Sequence, residues 1–283
     1  MKIFREAEKL RKWCAARRAA GARIALVPTM GCLHDGHMSL VEAAKRKGAD
    51  DIVASVFVNP VQFGPNEDYA KYPRTEKADL AKLRKAGVAA AFLPSPEAMY
   101  APDRSTWVEE TQLSKGLCGA KRPGHFRGVC TVVAKLFNIV RPDFAVFGSK
   151  DYQQAQVVRR MVRDLDFGID IVVAPIVREA DGLAMSSRNR YLSEGEREAA
   201  LAISRALATA RAGANAAAER RRISAAIAKA GLKTDYVEIV DAATLAPVKT
   251  VRAGDRILAA AYSGKTRLID NMEIKPPSKR TKK

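Results

Sequence analysis

Along the first two-thirds of the chain, short apolar runs alternate with longer segments whose apolar positions recur every three or four residues. The runs at 24–27, 51–58, 88–93, 142–147 and 169–174 read as buried strands, each too short for a helix and apolar on both faces. The segments at 38–47, 75–85 and 129–140 read as helices, with Thr75 as the cap of the second. Residues 1–20 read as an amphipathic helix, 65–74 and 94–102 as irregular loops, and 106–111 as a small extra strand. This alternation predicts an α/β fold with a Rossmann-like, doubly wound parallel sheet, because a crossover helix is what returns the chain to start a parallel strand.

The pattern changes near Ile176. Ser193 and Glu196 have the spacing of a capping box for a long helix over 194–211, and alanine-rich helix continues to residue 230. Alternation at 235–240, 256–262 and 266–274 then predicts three strands with turns and no helix between them. The expected division is a domain at 1–175 and a smaller α+β C-terminal domain at 176–283.

Polar residues gather where the expected strands end. The first is followed by Pro28, Thr29, Met30, Gly31, Cys32, Leu33, His34, Asp35, Gly36 and His37. Strand, glycine-bearing turn and helix in that order aim backbone N–H groups and a helix dipole at an anion site, and glycine lets the backbone approach a ligand. Two of the chain's three histidines, His34 and His37, sit at the head of that helix; an ordinary turn with solvated histidines would not explain their concentration there. The second strand leads to Asn59 and Gln62, in the crevice where an open α/β sheet holds its ligand, although alone they would equally suit a surface turn. After 142–147 come Gly148, Ser149, Lys150 and Asp151, with the lysine as a point charge for phosphate and Gln154 one helical turn further along the same face. The basic stretch 121–128 would either close over phosphates or be a solvated turn, and 184–190 is a second small-polar and basic turn.

Composition narrows the function classes. Apolar residues at 47% and charged residues at 28% are those of a globular chain, and no run approaches the roughly 18 apolar residues of a membrane span. Arg5, Glu6, Glu8, Lys9, Arg11 and Lys12 interrupt any signal-peptide core. Cys14, Cys32, Cys118 and Cys130 lack the paired spacing of a zinc site and read as free thiols of a reducing cytoplasm, Cys32 as a small filler of the first turn. A net charge of +18 suits anionic substrates or nucleic acid. Yet aromatics are only 6% and do not alternate with the basic residues as a stacking platform requires. Lys275, Lys279, Arg280, Lys282 and Lys283 lie in a tail read as disordered. Neither a nucleic acid nor a membrane is expected as a partner.

Together, the His-x-Gly-His and Met-Ser-Ser-Arg turns resemble the paired signatures of the nucleotidyltransferase superfamily. More closely, Pro-Thr-Met-Gly-x-Leu-His-x-Gly-His at 28–37, Phe-Val-Asn-Pro-x-Gln-Phe at 57–63, Gly-x-Lys-Asp-Tyr-Gln-Gln at 148–154 and Asp-Gly-Leu-Ala-Met-Ser-Ser-Arg-Asn at 181–189 are similar to the motifs of the pantoate–β-alanine ligase family. The resemblance is strong over 24–192 and looser to 274. It implies a cytoplasmic homodimer that uses ATP to activate pantoate as pantoyl adenylate, releasing pyrophosphate, and passes the acyl group to β-alanine, releasing AMP. It implies that ATP is bound by Met30, Gly31, Cys32, Leu33, His34, Asp35, Gly36 and His37, by Gly148, Ser149, Lys150, Asp151 and Val177, and by Met185, Ser186, Ser187 and Arg188. Of these, His37, His34, Lys150, Ser186, Ser187 and Arg188 would be catalytic, stabilising charge on the phosphates. Gln62 and Gln154 would hold pantoate, Gln62 would also hold β-alanine, and Asp79 matches an acidic position that would bind Mg²⁺. The first domain would hold nucleotide and pantoate and the second would act as a lid, while the segments 65–74 and 121–127 would keep water from the adenylate.

Departures from the family pattern are small: Cys32 stands where Ala is expected, Val61 where Met is common, and Ser149 where Glu is frequent. The resemblance does not explain the basic tail. Two other readings stay open. Another nucleotidyltransferase acting on a phosphate-bearing acceptor would want Arg or Lys in place of Gln62 and Gln154. A tRNA-binding protein would want a longer chain and a less diffuse positive charge.

Overall fold

Strands built from Ile, Val, Leu, Ala and Phe form a parallel sheet in the computed structural model, which describes residues 1–65 and 67–276. The first unit, through Val177, runs β1 (Lys2–Phe4), α1 (Ala7–Ala19), β2 (Ile24–Thr29), α2 (Asp35–Arg46), β3 (Asp51–Val56), α3 (Glu76–Lys85) and β4 (Ala90–Phe92). It continues through the short helices α4 (Pro96–Met99) and α5 (Leu117–Lys121) to α6 (His125–Val140), β5 (Phe144–Gly148), α7 (Tyr152–Asp164) and β6 (Asp170–Ala174). The strand order is β1-β4-β3-β2-β5-β6, all parallel, so the expected doubly wound α/β sheet is present.

Alternate strand residues face opposite sides. Ala25, Val27, Ile52, Ala54, Phe144 and Val146 pack with Leu40, Val41 and Ala44 of α2 and Leu80 and Leu83 of α3. The chain moves outward from β2 through β3 to β4, then returns to β5 on the other side of β2. The reversal puts a topological switch point between β2 and β5, where an open α/β sheet forms its ligand crevice.

The structure corrects several local expectations. Residues 1–20 are not one helix, because Lys2–Phe4 pairs with β4 as an edge strand. Residues 106–111 form no strand; the Val108 N–H donates to Thr131 Oγ1 instead. The segment 94–102 includes α4. Thr75 occupies the N-cap of α3 without capping it, since its hydroxyl donates to Asp79. The stretch 121–128 is no long loop: α5 ends at Lys121 and α6 begins at His125.

The second unit begins at Arg178. Its helices α8 (Glu194–Leu207) and α9 (Ala216–Lys229) cover an antiparallel sheet of β7 (Lys233–Val240), β8 (Arg256–Ser263) and β9 (Thr266–Glu273), so α8 ends before residue 211. The Ser193–Glu196 capping box is present: each side chain accepts the other's backbone N–H, at 3.3 and 2.9 Å. From residue 277 the tail read as disordered lies outside the described residues. No helix among the described residues is long and apolar enough to cross a membrane.

Candidate active site

The turn after β2 is held from beneath by α3. Asp79 is buried, and its two carboxylate oxygens accept the N–H groups of Cys32, at 2.9 Å, and Leu33, at 2.8 Å. One helical turn on, Lys82 donates to the carbonyl of Leu33. Gly31 is left-handed, with φ of 79°, and a Cβ there would lie 3.0 Å from Val56 and 3.1 Å from Asp79, so glycine meets both the conformation and the space. Cys32 follows at φ 49° and is buried, in keeping with a filler.

These contacts change two expectations. Two amides of the anticipated anion cradle already serve Asp79; the N–H groups of Asp35 and Gly36, at the start of α2, have no protein acceptor among the described residues. Asp79 does not fit a metal ligand: both oxygens receive backbone donors, the ammonium of Lys82 lies beside the same turn, and no group of three or more His, Cys, Asp or Glu among the described residues could hold a metal.

His37 stands at N3 of α2, where its Nδ1 accepts the backbone N–H of His34 at 3.2 Å. An amide N–H can only donate, so a neutral His37 carries its proton on Nε2. Burial, with the nearby His34, Lys150 and Lys82, pushes its pKa down to about 3. His37 is therefore a neutral Nε2–H donor at physiological pH, and its ring lies 4.0 Å from that of His34. β2 and β5 are neighbouring parallel strands, so the turns that follow them lie side by side at the switch point. Gly148 closes β5, and Ser149, Lys150 and Asp151 form a 3₁₀ turn. Lys150 thus precedes α7, which begins at Tyr152, and does not share a helix face with Gln154. Val177 is the half-buried last residue of this unit.

Gln62 ends a 3₁₀ turn, Pro60–Gln62, beyond β3. Its Nε2 donates to Met30 Sδ at 3.0 Å and its Oε1 accepts from Asn59 Nδ2 at 3.0 Å, so the second and first motifs touch. Of the two adjacent glutamines on α7, Gln153 is buried and ties down the 113–118 segment through Leu113, Gly116 and Cys118. Gln154, about 100° round the helix, is half-buried.

Sequence reasoning missed the partners of the stretch 121–127. Arg122 pairs with Glu67 and donates to His125, which donates to the carbonyl of Gln62. Lys82 was missed too; its only signal was the helical spacing from Asp79.

Met185, Ser186, Ser187 and Arg188 belong to the second unit. The Ser186 hydroxyl accepts the Arg188 N–H at 3.2 Å at the head of a 3₁₀ turn, Ser187–Tyr191. Buried Asn189 anchors this turn to Glu179 and to the carbonyl of Ala184.

A parallel α/β sheet with a histidine-bearing turn and a lysine-bearing turn at its switch point is an arrangement able to receive a phosphorylated ligand. The chain belongs to the pantoate–β-alanine ligase family, whose model matches residues 2–273. The pantothenate synthetase of Myxococcus xanthus is 52% identical over 96% of each chain. The crystal structure of pantothenate synthetase from Thermus thermophilus aligns with a TM-score of 0.89 at 46% identity, covering 98% of this chain and 100% of that one. A pantoate–β-alanine ligase from Francisella tularensis, solved with a β,γ form of ATP and β-alanine, aligns with a TM-score of 0.82 at 33% identity over 96% and 97% of the two chains. The protein is accordingly a ligase that joins pantoate to β-alanine.

Proposed function

We propose that the ligation consumes ATP and proceeds through pantoyl adenylate. The pantoate carboxylate attacks the α-phosphorus, pyrophosphate leaves, and the amine of β-alanine then displaces AMP. The observation that carries this reading is a neutral His37, held as an Nε2–H donor beside Lys150 at the switch point. Such a donor stabilises negative charge on a departing phosphate without itself transferring a proton. Met30 to His37 and Gly148 to Asp151, with Val177, hold the nucleotide; His34 and Lys150 add to the donation. Gln62 and Gln154 grip pantoate, and Gln62 meets β-alanine, as amides that both donate and accept. Ser186, Ser187 and Arg188, with Met185, supply further donors from the lid domain, a role that rests on their motif.

Magnesium enters as the counter-ion of ATP and belongs to the substrate, because the residues around Asp79 do not fit a protein-held ion. Four buried free cysteines suit a reducing cytoplasm, and the working form is a homodimer, which sedimentation of the purified protein would test.

The direct test is pyrophosphate release from ATP with pantoate, with and without β-alanine. The reading predicts pantoate-dependent release whose sustained turnover requires β-alanine and yields AMP. Release that ignores pantoate would overturn it.

A further inference from the structure

Glu67 and Arg122 form a two-pronged ion pair: Arg122 Nε meets Glu67 Oε1 and Nη2 meets Oε2, both at 2.6 Å. Such forks are the strong form of the carboxylate–guanidinium contact. The pair is also largely withdrawn from water, with side-chain exposures of 17% for Arg122 and 25% for Glu67, so solvent screens it less than an open surface pair. The remaining donors of Arg122 point elsewhere: Nη1 reaches His125 Nε2 at 2.9 Å, and Nη2 reaches the Gln62 carbonyl at 3.4 Å.

The valences then follow from chemistry. A guanidinium only donates, so His125 Nε2 accepts; the neutral ring carries its proton on Nδ1 and donates it to the Gln62 carbonyl at 2.9 Å. Arg122 and His125 both reach the peptide carbonyl of one residue, Gln62. That residue's side chain is held in turn by Asn59 and Met30. The preceding peptide, Val61–Gln62, is pressed by Gly128, where a Cβ would lie 2.3 Å from the Val61 carbonyl oxygen and 2.8 Å from Gln62 Cα. No larger residue at 128 would let α6 dock so closely.

We propose that Glu67, Arg122 and His125 are positioning residues that fix the Gln62 turn for its grip on pantoate. The inference rests on the assignment of Gln62 to that substrate. Glu67 sets the fork of Arg122, Arg122 sets the tautomer and ring plane of His125, and His125 pins the carbonyl of Gln62.

The test is a double-mutant cycle in the full-length ligase with ATP, pantoate and β-alanine. Glu67→Ala should raise KM for pantoate about tenfold, the order of one lost charge-assisted hydrogen bond, while KM for ATP stays unchanged. Glu67→Asp should recover most of that loss. In the Gln62→Ala background, Glu67→Ala should add nothing, because the residue it positions has gone. If Glu67→Ala does not fold, Glu67→Gln, which keeps the size and one acceptor, is read in its place. Equal shifts in both KM values, or a Glu67 effect that persists undiminished without Gln62, would overturn the positioning role. If Gln62→Ala itself leaves KM for pantoate unchanged, the assignment of Gln62 fails and the inference falls with it, so the two failures are told apart by that single arm.

Discussion

His37 and His125 are both desolvated beside cations and both are held neutral, with pKa values pushed down to about 3 and about 4. Burial is the first cause for each, followed by His34, Lys150 and Lys82 at His37 and by Arg122 at His125. Their proton positions are nevertheless opposite. His37 accepts through Nδ1, leaving an Nε2–H with no protein partner among the described residues. His125 accepts at Nε2 and donates at Nδ1, so both ring nitrogens serve the protein. Burial and charge alone therefore do not mark a catalytic histidine; an unused donor at the ligand crevice does.

Substituting each histidine would separate the two roles most widely. His37→Ala should lower the rate of adenylate formation by about 10²–10³-fold, the cost of removing one preorganised donor, with little change in thermal stability. Single-turnover pyrophosphate release would show it. His125→Ala should retain most of kcat but destabilise the fold by about 1–3 kcal/mol, since the Gln62 carbonyl and an Arg122 N–H lose their partner. Gly128→Ala should cost about 1–3 kcal/mol or more by forcing α6 off the Pro60–Gln62 turn, read by urea denaturation.

Asp79 gives a smaller but sharper contrast. Asp79→Asn turns an NH₂ group towards one of the two amides that the carboxylate now accepts and should cost about 1–3 kcal/mol. The Mg²⁺ concentration for half-maximal rate should not move, whereas a metal ligand at this position would shift it strongly.

The gentlest probe is pH. The unfolded chain binds protons at both histidines below about 6.5, while the folded chain refuses them down to about 3 and about 4. Their contribution is complete above pH 6.5, and stability should fall as pH drops from 6.5 towards 4, by up to roughly 1.4 kcal/mol per pH unit for each histidine. The adenylation rate should show no step near 6.5.

The alternation of short apolar runs with helical segments made the parallel sheet legible, because buried strands and crossover helices leave distinct periods. The turn at 28–37 was legible because glycines and histidines cluster there. What escaped was set by partners distant in sequence. Lys2–Phe4 is a strand only because β4 offers it an edge, and 106–111 is not one because no strand lies beside it. Asp79 and a metal-binding carboxylate look alike in a sequence; two backbone amides 46 and 47 residues away distinguish them. The basic stretch around Arg122 read equally as a phosphate-closing loop or a solvated turn; its partner Glu67, 55 residues distant, left no trace in the local pattern.

The proposed chemistry turns on His37 being a neutral donor whose proton sits on Nε2. Nitrogen-15 NMR of the histidine-labelled protein, with His34→Gln and His125→Asn variants for assignment, tests it most directly. The expected spectrum shows a His37 ring protonated only at Nε2, unchanged from pH 5 to 8, and a His125 ring protonated only at Nδ1. A His37 ring that titrates near its ordinary 6.5, or one that carries its neutral proton on Nδ1, would contradict it.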